Sequence, residues 1–371
     1  MKDFLMQDEA RRLVDGYIEQ DDKIQSTQEI LDSGLIPKLK GFKVRPGKVS
    51  DSIFGEKVDY IDKNGQVIEF ENPALETKSG LPLRIMVRTK RISTHDINRG
   101  EIPFKDQILA VNHNYMRRML SSAIGTSQFE VDGLRDNSIV IAAENLRQIS
   151  FENVLRAYMA KSSTSTSLYQ HYIKGGRNFC GHILPDNLVT NGILPYIMDT
   201  PSTKSDEHDE SVSPEQLFQN GICTPQQYAQ IRNSSLFAFG IVSQFLKDKG
   251  LIAVDTKTEH GINKRGEIVS QDEIWTMDSS RFWLLNDYDE QLKKLARGEV
   301  KELDPRSYSK EFARGFSEGE KGYTDEQRAQ IAVRYIEGIQ HLLGKRFESD
   351  LRSNEERIVS GIERIVYQLV A

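Results

Sequence analysis

The stretch that decides the architecture of this chain is LIAVDTKTEHGINKRGEIVSQDEIWTMDSSR, residues 251–281. Residues 251–259 predict a β-strand, in which alternate side chains point to opposite faces. Asp255, Lys257 and Glu259 then share one face, and the other face carries apolar residues and threonines. Three charged side chains at the end of an otherwise apolar strand are unusual, so this stretch is the candidate centre of the chemistry.

The rest of the stretch predicts a turn over residues 260–266 and a second strand over residues 267–276. If the two strands pair as a hairpin, Asp272 comes close to Glu259. Two carboxylates about 4 Å apart repel by about 4 kcal/mol at an effective dielectric of about 20, which protonates one of them or requires a cation. Mg²⁺ suits an all-oxygen site of this kind. A solvated, salt-bridged hairpin fits the same residues, and the residues alone leave both interpretations open.

The end of the stretch, Asp278-Ser-Ser-Arg281, predicts a helix start. Asp278 or Ser279 is expected to cap a helix that continues through Phe282 to Leu295. Arg281 then lies in the first turn, where free backbone N–H groups and the guanidinium can hold an anion together. Taken alone, the segment favours the alternative, a capped helix with a surface arginine.

Length and composition describe an ordinary globular protein. The 371 residues are enough for about two domains with substantial cores. The net charge of −6 disfavours a broad nucleic-acid surface, which needs an excess of Lys and Arg. The first residues lack the pattern of a signal peptide, and no window approaches the roughly twenty apolar residues of a membrane span. With only two cysteines, Cys180 and Cys223, we expect reduced thiols and a cytoplasmic protein.

The chain divides into two predicted regions, residues 1–145 and residues 146–371. The first begins with polar helices and continues with short β-type runs, including a hairpin around Asn64-Gly65. The second mixes strands with helices and ends in helices. Hydroxyl residues before proline at Ser213 and Thr224 predict two helix starts, and Thr324 with Gln327 predicts a third. The apolar stripes of the last two helices are expected to be core.

A second polar constellation is Thr200-Pro-Ser-Thr-Lys204 followed by His208-Asp209-Glu210. Hydroxyls, a lysine and carboxylates are what a phosphate–metal site uses, although any polar loop contains them. Other chemistries find little support in the sequence. It has no His-Glu-x-x-His, Cys-x-x-Cys, Gly-x-Ser-x-Gly or Gly-x-Gly-x-x-Gly pattern, so a zinc protease, a serine hydrolase or a nicotinamide enzyme is not expected.

Together these segments resemble the SAICAR synthetase family. The most specific matches are Pro201-Ser-Thr-Lys204 with Asp209, and Asp255-Thr-Lys-Thr-Glu259 with Asp272-Glu273 and Asp278-Ser-Ser-Arg-Phe-Trp283, in the family's order. The resemblance implies an α+β, two-lobed ATP-grasp or kinase-like fold, with a β-rich N-terminal nucleotide-binding lobe and a larger α+β lobe. It also implies an ATP- and Mg²⁺-dependent ligase of purine biosynthesis that joins carboxyaminoimidazole ribotide to L-aspartate through an acyl phosphate.

The resemblance implies a role for each matching residue. Asp255 and Lys257 would face the imidazole and its reacting carboxylate, and Glu259 and Asp272 would hold Mg²⁺ with Asp209 close by. The ATP-binding residues would be Gly47, Lys48, Glu144, Leu146 and Lys204. The substrate-binding residues would be Glu152, Arg156, Ser162, Ser202, Thr203, Arg281, Lys310 and Arg314.

Five positions depart from the family's usual pattern: Lys90, Thr94, His95, Lys161 and His260. These departures affect ligand contacts more than the expected metal pair, so they bear on substrate detail rather than on reaction type. Two alternatives remain at this point. One is a small-molecule kinase on the same fold, and the other is a nucleotide-binding regulator with a decayed site. The sequence does not indicate an oligomeric state or the residues that select aspartate.

Overall fold

The computed structural model describes residues 4–20, 26–55, 58–61, 67–70, 75–164, 167–204 and 209–370 of the chain. Its helices are α1 (Gln7–Gln20), α2 (Thr27–Asp32), α3 (Lys105–Met119), α4 (Leu168–Ile173), α5 (Pro214–Gln219), α6 (Pro225–Asp248), α7 (Leu285–Ala296), α8 (Glu311–Arg314), α9 (Asp325–Leu343) and α10 (Asn354–Leu369), with a 3₁₀ turn at Pro37–Leu39.

The strands are shorter in the first half of the chain than in the second. They are β1 (Lys43–Pro46), β2 (Ser50–Phe54), β3 (Val58–Ile61), β4 (Val67–Phe70), β5 (Leu75–Glu76), β6 (Pro82–Arg88), β7 (Arg91–Thr94), β8 (Ile97–Glu101), β9 (Val140–Glu144), β10 (Arg147–Tyr158), β11 (Asn178–Phe179), β12 (His182–Ile183), β13 (Ile193–Asp199), β14 (Ser202–Thr203), β15 (Leu251–Ile262), β16 (Ile268–Gln271), β17 (Ser280–Leu284) and β18 (Ser307–Tyr308).

The first sheet runs in the order β1-β2-β6-β5, and β9 also pairs with β6. Its inward-facing residues include Ile53, Leu83 and Ile85, which are fully buried. They form one core with Ile358 and Ile362 of α10. The amphipathic C-terminal helix therefore covers the apolar face of the N-terminal sheet, as the spacing of its isoleucines requires.

The predicted hairpin near residue 60 is present, because β3 pairs antiparallel with β4 and Val58 lies opposite Phe70. Its turn residues, Asn64 and Gly65, lie outside the described residues. A second hairpin joins β7 and β8. At its tip, His95 and Asp96 both have left-handed backbones, with φ of 53° and 59°.

The second sheet runs in the order β13-β10-β15-β17-β18, with β14 added to β10 and β16 added to β15. All these strand pairs are antiparallel. Phe239, Val242 and Leu246 of α6 share a buried core with Leu155 and Ala253 of the two long central strands. This sheet carries the charged residues of the stretch 251–281 and positions the site described below.

The predicted helix starts are confirmed. Ser213, Thr224 and Thr324 each accept a hydrogen bond from a backbone N–H three residues on, and each forms a complete capping box. Beyond the end of α6, Gly250 has φ of 70°, which glycine adopts without strain. The apolar stripe of α9 is buried, as expected of a core helix.

The change of sheet falls at the predicted boundary, since β9 ends at Glu144 and β10 begins at Arg147. The division into residues 1–145 and 146–371 nevertheless stays a prediction. Helices from each region pack against the sheet of the other region. Helix α10, near the C-terminus, packs in the core of the first sheet, and Val14 of α1, near the N-terminus, is buried in the core of the second sheet.

Both cysteines are free thiols, with Cys223 buried and Cys180 partly buried. Burial raises the pKa of the Cys180 thiol to about 12, which makes it unreactive at neutral pH. Within the described ranges, no helix combines the length and the apolar character needed to cross a membrane.

Candidate active site

The charged side chains of the candidate site are carried by the adjacent strands β10, β15 and β17. In β15, Asp255, Lys257 and Glu259 occupy alternate positions and therefore share a face. Asp255 lies opposite Arg156 of β10 and opposite Arg281 of β17. The predicted strand at residues 251–259 is confirmed, and it continues to residue 262.

Arg281 lies in a strand, so the predicted helix start at Asp278 is wrong. Residues 280–284 pair with β15, and helix α7 begins only at Leu285. The reason is that Phe282 and Trp283 are both buried in the second sheet, where aromatic side chains pack well. A helix N-terminus therefore does not help Arg281 to bind an anion, and its contribution comes from the guanidinium alone.

Asp255 holds two guanidinium groups. Arg281 donates from Nε to both oxygens of Asp255, at 2.9 and 3.0 Å, and from Nη2 to Oδ2 at 2.5 Å. Arg156 donates from Nη1 to the same Oδ2 at 3.3 Å and from Nε to Thr200 Oγ1 at 3.0 Å. Burial would raise the pKa of the Asp255 carboxyl, but Arg281 and Arg156 lower it below its ordinary value. The carboxylate is therefore ionised at neutral pH.

Glu311 extends this cluster to a third arginine. Arg314 donates from Nη1 to Glu311 Oε2 at 2.6 Å, and Arg281 Nη1 lies 4.0 Å from the same oxygen. The buried Nε of Arg314 has no hydrogen-bond partner among the described residues. We call these five side chains, Arg156, Asp255, Arg281, Glu311 and Arg314, the arginine group. Three guanidinium groups with two carboxylates leave a positive excess that suits a phosphate.

A second cluster lies along the same strands. Lys257 donates from Nζ to Glu152 Oε1 at 2.5 Å and to Glu259 Oε1 at 3.4 Å. Lys204 donates to the other oxygen of Glu259. We call Glu152, Lys204, Lys257 and Glu259 the lysine group. Glu259 is buried, which would raise its pKa, but Lys257 and Lys204 lower it. The pKa of Lys257 is raised despite burial, because Glu152 and Glu259 stabilise the ammonium form.

Asp272 lies beside the lysine group, as the hairpin predicts. Glu259 pairs with Gln271, so Asp272 follows directly after the end of β16. The predicted second strand is too long, because pairing ends at Gln271 and Asp272 has a left-handed φ of 58°. Aspartate tolerates this conformation better than most residues. The next residue, Glu273, turns inward and pairs with Arg88 at 3.0 Å.

The fit of Mg²⁺ to these residues depends on Glu259 and Asp272. In the parts of the chain that the structure describes, no group of three or more His, Cys, Asp or Glu side chains could hold a metal ion. Mg²⁺ commonly uses one or two carboxylates and keeps water or substrate phosphate as its other ligands. The pair Glu259 and Asp272 is therefore a sufficient donor set for a Mg²⁺ ion that arrives with a nucleotide.

The segment from residue 200 to residue 210 lies next to β10. Ser202 lies opposite Glu152, and its Oγ is 3.4 Å from Glu152 Oε2. Thr203 Oγ1 accepts from the backbone N–H of Glu210 at 3.0 Å. Ser202 and Thr203 thus lead directly to Lys204 of the lysine group. Asp209 is the next described residue after Lys204, and His208 lies outside the described residues.

The expected ATP-binding residues of the first sheet lie at two places. Gly47 and Lys48 form the turn between β1 and β2, where the Gly47 N–H donates to Ser50 O at 2.9 Å. Lys48 is exposed and pairs with Asp96 at 2.5 Å. Glu144 accepts from the backbone N–H of Lys264 at 2.9 Å, and burial raises its pKa. Leu146 is partly buried in the connection between the two sheets.

Ser162 and Arg281 line a cavity of about 430 Å³. Ser162 is buried, and its Oγ accepts from the Thr164 N–H at 3.2 Å. The backbone carbonyl of Lys161 accepts from Arg281 Nη1 at 3.0 Å, so the departure at this position leaves the loop attached to the arginine group. His95 bonds Ser163 Oγ at 2.8 Å, which ties the β7–β8 hairpin to the same loop.

One buried network near the site was not predicted from the sequence. The fully buried Lys105 lies with its Nζ 2.8 Å from Asp278 Oδ2, and Tyr335 donates to Asp278 Oδ1. Burial would raise the pKa of Asp278, but Lys105 and Lys310 lower it to about 2. Burial also lowers the pKa of Lys310 to about 8, with Asp278 3.9 Å away. Within residues 251–281 the sequence shows only Asp278 of this network, because its partners Lys105 and Tyr335 are distant in the chain.

Taken together, the geometry places the arginine group next to the lysine group on one face of a sheet. Such a pair suits phosphoryl transfer to a substrate that is itself held by a phosphate.

Comparison with known proteins agrees with this chemistry. The family described as SAICAR synthetase matches residues 77–330. The phosphoribosylaminoimidazole-succinocarboxamide synthase of Arabidopsis thaliana, a chloroplastic protein, is 35% identical over 302 residues, covering 77% of this chain and 69% of that protein. The synthase of that name from Legionella pneumophila is 33% identical over 291 residues, covering 76% of this chain and 89% of that protein.

Solved structures give the same fold. The SAICAR synthase of Saccharomyces cerevisiae, complexed with SAICAR, superposes with a TM-score of 0.62 at 22% identity, covering 83% of this chain and 97% of that one. A type-2 SAICAR synthetase in complex with ADP gives a TM-score of 0.56 at 20% identity, covering 83% and 100%. The predicted α+β, two-lobed fold is confirmed.

Proposed function

The chain belongs to the SAICAR synthetase family and is an ATP-dependent ligase of purine biosynthesis, and we propose that the arginine group and the lysine group divide its reaction between them. The observation that carries this proposal is their arrangement. Asp255 of the first group and Lys257 and Glu259 of the second occupy alternate positions of one strand. A substrate held by its phosphate at Arg156 and Arg281 extends along the strand toward Lys257.

The proposed reaction has two steps. The carboxylate of carboxyaminoimidazole ribotide attacks the γ-phosphorus of ATP, which gives an acyl phosphate and releases ADP. The amine of L-aspartate then attacks the acyl carbon, the carbon–oxygen bond to phosphate breaks, and inorganic phosphate and a proton are released. Phosphorylation is needed because a free carboxylate is a poor electrophile with a poor leaving group. The relatives' names and the SAICAR-bound neighbour support this choice of substrates.

The arginine group binds the ribotide phosphate in this proposal. Arg156 and Arg281 are already oriented by Asp255, so little side-chain freedom is lost when the phosphate binds. The Nε of Arg314, which has no hydrogen-bond partner in the described part of the chain, supports a third contact. Ser162 lies in the same cavity as Arg281, and Lys310 adds positive charge nearby.

The lysine group acts at the reacting carboxylate and the transferred phosphoryl group. Lys257 neutralises charge on the ribotide carboxylate, with Asp255 on the imidazole side, and Lys204 approaches the nucleotide phosphates. Glu152 keeps Lys257 protonated and in place, since it raises the pKa of the ammonium group. Ser202 and Thr203 lead into Lys204 and offer their hydroxyl groups to the substrate.

Mg²⁺ is part of the proposal. Glu259 and Asp272 would hold it, with Asp209 following the lysine group in the chain. When bound, the ion would neutralise charge on the transferring phosphoryl group. The pairing of Glu259 with Gln271 supports this assignment, because it brings Asp272, the next residue, beside that carboxylate.

ATP is proposed to lie between the two sheets. Gly47 and Lys48 would cover its phosphates, and Glu144 and Leu146 would face the adenine. The position of Leu146 supports this assignment, since it is partly buried in the connection between the two sheets. A neighbour bound to ADP supports nucleotide binding by the fold.

The kinase alternative is not favoured, because the curated relatives are named as synthases. Such a kinase would phosphorylate its substrate without aspartate. A cytoplasmic location is also proposed, and the two free thiols support it, since reducing compartments keep cysteines unpaired.

Oxygen tracing tests the acyl phosphate. Ribotide labelled with ¹⁸O in its carboxylate is turned over with ATP and L-aspartate, and the ¹⁸O content of the released phosphate is measured by mass spectrometry. One carboxylate oxygen is expected in each phosphate, because it becomes the bridging oxygen of the intermediate. Unlabelled phosphate would contradict the proposed route.

A matched variant separates the role of Lys257 from the overall route. Lys257→Met removes the ammonium group but keeps much of the side-chain volume. The variant is expected to turn over much more slowly than wild type. The phosphate that it does release should still contain one carboxylate oxygen, as the acyl phosphate requires. Wild-type turnover in this variant would remove Lys257 from the proposal and leave the chemical route intact.

A further inference from the structure

A cavity of about 260 Å³ lies between α10 and the loop over residues 133–139. It is separate from the candidate active site, whose side chains come from β10, β15, β17 and α8. Its lining includes a single carboxylate, Asp350, and four arginines: Arg135, Arg352, Arg357 and Arg364. With Asp106, which pairs with Arg357 from behind the lining, these groups have a formal excess of two positive charges, and such a surplus in a concave site favours an anionic ligand.

The one lining carboxylate is already neutralised. Arg352 donates from Nε to Asp350 Oδ1 at 3.0 Å and from Nη2 to Oδ2 at 2.6 Å. Asp350 also accepts from the Arg352 N–H at 3.1 Å. The other three guanidinium groups therefore face a cavity that offers them no further carboxylate from its lining.

Arg364 is held at the cavity by its packing rather than by an acid. A Cβ on Gly133 would lie 3.0 Å from the Arg364 Cζ, so the absence of a side chain lets the guanidinium approach the backbone. Gly133 has φ of 79°, a conformation that also favours glycine. Neither Arg364 nor Arg135 forms a side-chain hydrogen bond or ion pair with any residue the structure describes.

Arg357 supplies a buried donor without an acceptor. Its side chain is 4% exposed, and Nη1 donates to Asp106 Oδ2 at 3.1 Å while Nη2 donates to Asn354 Oδ1 at 3.4 Å. These two contacts fix the guanidinium, and the buried Nε has no partner among the described residues. Unsatisfied buried donors are rare in folded proteins and call for a ligand, ion or water.

We propose that this cavity, the arginine pocket, binds the phosphate group of a small molecule through Arg135, Arg357 and Arg364. Ser138 and Ser360 line the same cavity, but their hydroxyl groups already donate to the backbone carbonyls of Val140 and Glu356. The volume is below the range typical of drug-sized ligands, so the ligand is inorganic phosphate or a small phosphate monoester. The proposal does not depend on the ligase assignment, because none of these residues is placed in the reaction.

Calorimetric titration tests the pocket. The enzyme is first saturated with a non-hydrolysable ATP analogue and ribotide, which fill the proposed anion sites of the reaction, and inorganic phosphate or glycerol 3-phosphate is then titrated at constant ionic strength. One further site is expected. Arg364→Gln and Arg135→Gln should each weaken its Kd about tenfold or more, as the loss of a charge-assisted hydrogen bond implies.

The choice of variants keeps the result interpretable. Arg135 and Arg364 are exposed, so their replacement leaves the buried Arg357 pair with Asp106 intact and preserves folding. Arg297→Gln removes an exposed arginine elsewhere on the surface and should leave the Kd unchanged. Tighter binding of the monoester would identify it as the better ligand, and equal binding would identify phosphate alone. Absence of a further site, or an equal Kd in both pocket variants and wild type, would overturn the proposal.

Discussion

Replacement of Arg281 by alanine perturbs the arginine group at its centre. Arg281 contributes three short N–H···O contacts to Asp255 and one to the carbonyl of Lys161. Its removal leaves Arg156, at 3.3 Å, as the remaining close partner of the Asp255 carboxylate. The variant therefore loses the restraint on the loop that contains Ser162 and, under the proposed function, a contact with the ribotide phosphate.

The magnitude follows from the kind of contact that is lost. A hydrogen bond to a charged group contributes about 1.5–3 kcal/mol, which corresponds to a change of about 10- to 150-fold in an equilibrium constant. Because a phosphate anchor binds the ground state and the transition state alike, this loss should appear in the ribotide KM rather than in kcat. Breaking a buried ion pair costs about 3–5 kcal/mol, and the retained Arg156 places the stability loss at the lower end, about 3 kcal/mol.

Steady-state kinetics with each substrate varied in turn measures both effects of the change. The ribotide KM should rise about 10- to 150-fold in Arg281→Ala, whereas the ATP KM should stay within about twofold of wild type. Arg281→Lys keeps the charge but loses the planar fork, so its KM should lie between those of wild type and the alanine variant. Urea unfolding of the same proteins gives the stability change.

A different pattern would refute the reasoning. If Arg281→Ala lowered kcat and left the ribotide KM unchanged, Arg281 would act in the chemical step and not as an anchor. If Arg281→Lys behaved as wild type, the fork geometry with Asp255 would have no role in binding.

Three further changes test other parts of the site. Glu259→Gln should raise the Mg²⁺ concentration needed for half-maximal activity, because it removes a charged metal ligand; unchanged activity at limiting Mg²⁺ would contradict the metal assignment. The lowered pKa of Lys310, about 8, means that its charge is lost as the pH rises through that value, so kcat/KM for ribotide should fall above about pH 8 and stay level in Lys310→Arg. Gly47→Ala would place a Cβ 2.5 Å from Ser50 O, so the turn that carries Lys48 must shift and the ATP KM should rise; an unaltered ATP KM would argue against phosphate binding by this turn.

Much of the fold was predictable because its signals are local. Alternation of charged and apolar residues predicted β15, and hydroxyl caps predicted the starts of α5, α6 and α9. Arg281 was misplaced because Asp278-Ser-Ser also has the form of an N-cap. Residues 280–284 form a strand because they pair with residues 251–256. The local sequence around Arg281 does not reveal this pairing.

The same limit applies to the site. The proximity of Asp255, Lys257 and Glu259 follows from strand periodicity, and a hairpin brings Asp272 to them. The contact of Lys257 with Glu152 depends instead on the register between β10 and β15, which contains a bulge. The network of Asp278 joins residues from α3 and α9, whose positions depend on the packing of the whole second core.

The most direct test of the central claim is ADP formation measured with ribotide, L-aspartate and ATP present, and with each substrate omitted in turn. The claim predicts sustained ADP release only with all three, and a product whose mass equals ribotide plus aspartate less one water. Full ADP release without aspartate, together with a stable phosphorylated ribotide, would contradict it and identify a kinase.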